Sequence, residues 1–228
     1  MGTAIIIGAG AGLSASLARK LAARGHTVLL GARNPDKLQT LAQEIGATAI
    51  ACDASQPDDM AALFEAADAL GSPIDVAIYN PSGRVRGAIT DIDPTQVKAA
   101  LEVTAFGAFL MAQQAAKRML PNGSGAILFT GASAGVKGFA KSASFAMGKF
   151  ALRGLAQSLA RELHPQGIHI GHFVIDGGIA NDARQERISS EDNMLDPDAI
   201  AESYLHFLDQ HRSSWAWEIE LRPWVERF

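Results

Sequence analysis

Thr3-Ala4-Ile5-Ile6-Ile7 runs without a break into Gly8-Ala9-Gly10-Ala11-Gly12-Leu13-Ser14, and a helical pattern starts at once after it. The apolar run is short and rich in β-branched side chains, so it reads as a strand buried on both faces. The glycines form a turn at the N-terminus of the following helix. Such a turn lets backbone N–H groups approach a pyrophosphate, and the helix dipole favours the negative charge there. Counted from Gly10, the pattern Gly10-x-Gly12-x-x-Ala15 fits the looser dinucleotide fingerprint that ends in alanine.

The same alternation continues outward from this junction. Further strands are expected at His26–Gly31, Ala47–Ala51, Ile74–Tyr79, Gly125–Thr130 and Ile168–Ile175. Helical stretches lie between them, near Leu13–Arg24, Pro35–Ile45, Pro57–Leu70, Pro94–Leu120 and Ser144–Leu163. Asn34-Pro35, Asp93-Pro94 and Asp196-Pro197 each put an N-cap before a proline at the first helical position. Gly46, Gly71 and Gly167 stand where helices should stop. After a helix at Pro197–Gln210, the tail Trp215–Pro223 alternates large and polar residues, as an edge strand does. Strands alternating with helices in this way specify a Rossmann-type, doubly wound α/β fold. The sheet is expected to have about seven mostly parallel strands with helices on both faces, in one domain spanning 1–228.

The end of the second strand bears on the ligand. An acid there would hydrogen-bond the ribose hydroxyls of NAD(H) and repel the extra phosphate of NADP(H). Here the strand ends Leu30-Gly31-Ala32-Arg33, with a guanidinium and no acid. Arg33, with Lys37 nearby, can grip a 2′-phosphate through charge-assisted hydrogen bonds. The reading favours NADP(H), with NAD(H) as the alternative.

Composition excludes other classes. The chain has 228 residues, a hydrophobic fraction of 48% and a charged fraction of 19%, in the range of folded globular proteins. A net charge of −4 leaves no basic surplus to neutralise nucleic-acid phosphates. No apolar run reaches the roughly 18 residues of a membrane span. Cys52 is the only cysteine and reads as a buried structural thiol, in keeping with a reducing cytoplasm. The six histidines form no metal-ligand set, so no metal is expected.

With these residues in place, the chain resembles the short-chain dehydrogenase/reductase family over nearly its whole length. The family spaces its glycine loop G-x-x-x-G-x-G; Gly8 and Gly12 match, and Ser14 stands at the third glycine. Asp53 matches the family's acid after the third strand, which binds adenine. Asn80-Pro81-Ser82-Gly83 resembles the Asn-Ala-Gly turn along the cofactor, and Asp176-Gly177 stands for the Pro-Gly after the sixth strand. Among the catalytic positions, Ser133 and Lys149 match the serine and lysine. Phe145 stands at the tyrosine position and Thr104 at the asparagine position.

The resemblance implies hydride transfer to or from the carbonyl or alcohol of a small molecule. Reduction leaves a developing alkoxide that needs a proton, and phenylalanine has none to give. Lys149, one helical turn from Phe145, is one candidate acid. Ser133, Ser142, Ser144, Tyr79 or a water are others. In a third reading Lys149 only holds the nicotinamide ribose, and the protein is a catalytically silent NADP(H)-binding sensor or interaction protein. The enzyme reading is preferred because Ser133 and Lys149 are kept. The resemblance also implies a homodimer or homotetramer built on the long fourth and fifth helices. A polar substrate lid or a plain surface loop is expected at Ile179–Leu195, including Asn181, Asp182, Arg184, Arg187 and Asp192. Trp215, Trp217 and Trp224 are read as packing or interface residues.

Overall fold

The computed structural model describes residues 1–181 and 192–225. Seven strands form one sheet in the order β3-β2-β1-β4-β5-β6-β7. They are β1 Thr3–Ile7, β2 Thr27–Ala32, β3 Thr48–Ala51, β4 Ile74–Tyr79, β5 Gly125–Thr130, β6 Ile168–Ile175 and β7 Glu218–Leu221. Every pairing is parallel, including that of the edge strand β7 with β6, so the sheet is wholly rather than mostly parallel.

The helices are α1 Leu13–Ala23, α2 Gln39–Ile45, α3 Pro57–Asp68, α4 Pro94–Leu101, α5 Gly107–Met119, α6 Ala143–Leu163 and α7 Pro197–Leu208. On one face Ile5, Ile7 and Phe129 pack with Met60 and Phe64 of α3, Met111 of α5 and Leu152 of α6. On the other, Ile6, Val28 and Leu30 pack with Leu17 of α1, Leu41 of α2 and Tyr204 of α7. Alternate residues of one strand thus feed two cores, because side chains alternate across a sheet. Burying each such isoleucine or leucine stabilises the fold by about 1.5–3 kcal/mol.

The local signals act as their chemistry requires. The carboxylate of Asp93 accepts from Thr95 N, that of Asp196 from Asp198 N and Ala199 N, and the Asn34 side chain from Asp36 N. Gly46 ends α2 in the left-handed region at φ 65°. One stretch departs from the sequence reading. The helix expected over Pro94–Leu120 is interrupted by a π-helical turn at Glu102–Phe106. Such turns are frequent at functional sites, and this one carries Thr104.

The order of β1 and β4 creates the site. From β1 the chain winds outward through β2 and β3, then returns to β4 on the other side and winds away. The connections diverge above the carboxyl ends of β1 and β4, opening the crevice where doubly wound sheets bind ligands.

Candidate cofactor cleft and active site

At this crevice lies a cleft of about 840 Å³. Gly8, Gly10, Arg33, Asp53 and Asn80 line it, and so does Lys37. Gly8 adopts φ +77°, and a Cβ there would meet Pro81 Cγ at 2.7 Å. The turn therefore needs glycine for its backbone and for the closeness of the β4 loop. A Cβ on Gly10 or Gly12 would meet nothing within 4 Å, so both face open space.

Gly12 is the N-cap of α1, which has no side-chain cap and no acid in its first turn. Its first N–H groups and dipole are left for an anion. Ser14 does not face the cleft. Its hydroxyl donates to Gly8 O at 3.1 Å and accepts from Asn80 Nδ2 at 2.6 Å, bracing the glycine turn against the β4 loop. Leu13 is buried in the core between α1 and the sheet. Gly177, at φ +158°, packs against Pro223 and does not line the cleft.

Asp53 Oδ1 accepts from Ser55 N at 3.0 Å and Ser55 Oγ at 2.7 Å. These bonds, with the Arg33 guanidinium nearby, hold its carboxyl below the usual carboxylate range. Arg33 is exposed at the cleft rim. Cys52 is buried, and burial next to Asp59 and Asp53 pushes its thiol up to about 12, so it is inert.

A second cavity of about 610 Å³ contains Ser133 and Phe145. Ser133 opens a short 3₁₀ turn after β5, and its carbonyl accepts from Val136 N and Lys137 N. Phe145 is 7% exposed in the first turn of α6, with the Arg84 guanidinium 3.8 Å from its ring centroid. One turn later Lys149 is 3% exposed, and its Nζ donates to Thr130 O at 2.7 Å. The same Nζ lies 5.9 Å from the Phe145 centroid. Burial, with the Arg84 charge as the lesser cause, lowers the Lys149 ammonium to about 7.

The other candidate donors divide. Tyr79 is fully buried with its hydroxyl donating to Val103 O, and burial raises it. Ser144 Oγ donates to Val85 O at 2.9 Å and accepts from Val85 N at 3.0 Å. Both are committed to holding the fold. Ser133 and Ser142 line the cavity. Thr104 Oγ1 accepts from Gly83 N at 2.8 Å, so it anchors the loop after β4.

The structure adds residues that the motifs did not single out. Arg84, Arg86 and Lys141 line the second cavity. Arg84-Val85-Arg86 was visible as an alternating basic stretch, but nothing local said which side of the loop would face a cavity. Asp182, Arg184 and Arg187 of the expected lid lie outside the described residues. Among the described residues no helix is long and apolar enough to cross a membrane, and no three potential metal-ligating side chains of His, Cys, Asp or Glu come together.

A family model described as short chain dehydrogenase matches residues 2–192. An uncharacterized oxidoreductase of Staphylococcus aureus (strain N315) is 27% identical over 224 residues, covering 96% of each chain. A solved short-chain dehydrogenase from Rhodopseudomonas palustris is 36% identical with a TM-score of 0.86, covering 98% of this chain and 99% of that one. A metagenomic short-chain oxidoreductase solved in complex with NADP is 27% identical with a TM-score of 0.84, covering 98% of both.

Proposed function

The chain belongs to the short-chain dehydrogenase family, and from that membership we propose that it is an NADP(H)-dependent oxidoreductase acting on the carbonyl or alcohol of a small molecule. The observation that carries this reading is the pairing of the crevice at β1 and β4 with the cavity that holds Ser133. The glycine turn and the uncapped start of α1 fit a pyrophosphate, and Asp53 and Asn80 fit the adenosine and ribose side of the cleft. Arg33, helped by Lys37, is the proposed receptor for a 2′-phosphate, which favours NADP(H) over NAD(H).

When bound, the nicotinamide supplies hydride chemistry. The chain's own residues orient the carbonyl and move the proton. We assign Ser133 to hold the substrate oxygen and Lys149 to donate the proton, with Phe145 at the position where the family carries tyrosine. The reading of Lys149 is supported by its burial, its lowered ammonium and its placement one turn from Phe145. Thr104, at the family's asparagine position, is assigned to anchoring rather than to chemistry. A single cysteine, which can form no intrachain disulfide, fits the cytoplasmic location we infer.

The test is titration of the purified protein with NADPH and NADH, followed by cofactor absorbance across a panel of carbonyls and alcohols, with Phe145→Tyr in parallel. Turnover by the native protein is expected. Tight NADPH binding without turnover, with activity appearing only in Phe145→Tyr, would instead make the protein a sensor. Binding of neither nucleotide would sink the reading.

A further inference from the structure

Residues 83–87 form an irregular strap between the two cavities, and it is pinned at alternate positions. Gly83 N donates to Thr104 Oγ1, Val85 makes two bonds with Ser144 Oγ, and Gly87 N donates to Lys141 O at 3.2 Å. With Val85 clamped to the start of α6, Arg84 and Arg86 both line the Ser133 cavity. Lys141 joins them from the other side in a left-handed backbone conformation at φ 58°, which a lysine adopts only where its surroundings hold it.

The lining is one-signed. It carries three cations, and no carboxylate lines it among the described residues. That concentration runs against the net charge of −4 of the whole chain. Arg84 sits over the Phe145 ring, its Cζ 3.8 Å from the centroid. Arg86 and Lys141 are exposed, and neither makes an ion pair with a described residue. Phe139 gives the cavity a second aromatic wall, and the Ser142 side chain does not cap α6. A one-signed cavity with polar groups at Ser133 and aromatic sides selects a ligand by charge at one end and by its carbonyl at the other.

We propose that the substrate carries an oxyanion, carboxylate or phosphate, received by Arg86 and Lys141 while its carbonyl lies at Ser133 and its apolar body between Phe139 and Phe145. This inference rests on the oxidoreductase reading for the carbonyl end only. The anion end is tested by binding alone.

Three probes suffice: 4-formylbenzoate, its neutral methyl ester, and 4-formylphenyl phosphate. Each is titrated calorimetrically against the protein with and without saturating NADP⁺. The native protein is expected to bind an anionic probe at least tenfold more tightly than the ester. The preference should shrink at about 0.5 M salt, where exposed charges are screened. Arg86→Gln and Lys141→Asn should each lower it about tenfold, asparagine being chosen because it tolerates the left-handed backbone. The tighter of the two anions names the source. Equal binding of acid and ester, no binding of any probe, or a preference that survives both substitutions overturns the proposal. Turnover with NADPH is read separately. Reduction of ester and acid alike keeps the oxidoreductase and removes the anion site, whereas selective anion binding without turnover does the reverse.

Discussion

A lysine ammonium buried against apolar side chains is held there against a desolvation cost. Lys149 lies beside the Phe145 ring and donates to Thr130 O, and its ammonium is lowered to about 7. A group poised there is half-protonated near neutral pH, the best compromise for proton transfer. If it is the acid, carbonyl reduction should be level below pH 7 and fall about tenfold per unit above it, as the donor form is lost. A pH–rate profile of kcat checks this. Lys149→Met should cost about 10²–10⁴-fold in kcat, while Phe145→Tyr should move the profile by adding a hydroxyl beside it. A flat profile through pH 6–9 in the native protein would remove Lys149 as donor. At the other end of the site, Arg33→Ala should weaken NADPH at least tenfold and leave NADH nearly unchanged, because only the 2′-phosphate loses its charge-assisted partner. Competition binding of the two nucleotides checks it. A matched loss for both would take the 2′-phosphate away from Arg33.

At the scale of elements, the edge of the sheet is tied by charge. Arg153 of α6 grips Glu218 of β7 at 2.7 and 2.8 Å, and Glu218 in turn lies 2.9 Å from His172 Nδ1 on β6. Glu218 is lowered overall: burial opposes ionisation, but the bonds from Arg153 and His172 prevail. His172 is fully buried, and its Nε2 has no partner among the described residues. It points at Gly131, where a Cβ would sit 2.3 Å from that nitrogen. Burial lowers His172 to about 4 despite Glu218, and lowers His169, stacked between Trp215 and Phe207, to about 4 as well. Both are depressed from the usual 6.5, so they bind protons more readily when unfolded. Their stabilisation is full above pH 6.5 and lost as pH falls toward 4, by up to about 1.4 kcal/mol per unit for each. Thermal melts from pH 7 to 4.5 should show this decline, and His172→Gln should flatten it. An unchanged slope in that variant would mean that His172 is not the titrating group.

This tie was not legible in the sequence, because it joins residues 46 and 65 positions apart through the sheet. The strands themselves were legible, since buried parallel strands leave continuous apolar runs and their ends carry caps and glycines. The π-turn at Thr104 was hidden because one widened turn of five residues is too short to stand out against the α-helical pattern on either side of it. Motif spacing singled out Ser133, Phe145 and Lys149 as candidates. It could not find Thr130, which meets Lys149 through a backbone carbonyl that carries no side-chain signature.

For the whole molecule, the outer surface of the α5–α6 layer is an apolar patch left uncovered among the described residues. Phe106 ends the π-turn before α5 and stacks on Phe109 at 6.3 Å, and both rings are close to half exposed. Met147 and Phe150 lie on α6 and are 53% and 45% exposed. The opposite sides of these helices are buried on the sheet, so the exposed rings have no further role within the fold. Covering such residues yields about 1.5–3 kcal/mol for each large apolar side chain fully buried. A second copy of the chain is the partner we expect, since most soluble oligomers are symmetric homo-oligomers. Light scattering should therefore report a dimer or tetramer at micromolar concentration. Phe109→Glu and Phe150→Glu should each shift the protein toward monomer without lowering the melting temperature of the isolated subunit, because neither ring packs in the core. A native protein that stays monomeric across concentration would show that these rings are left to water or to a different partner.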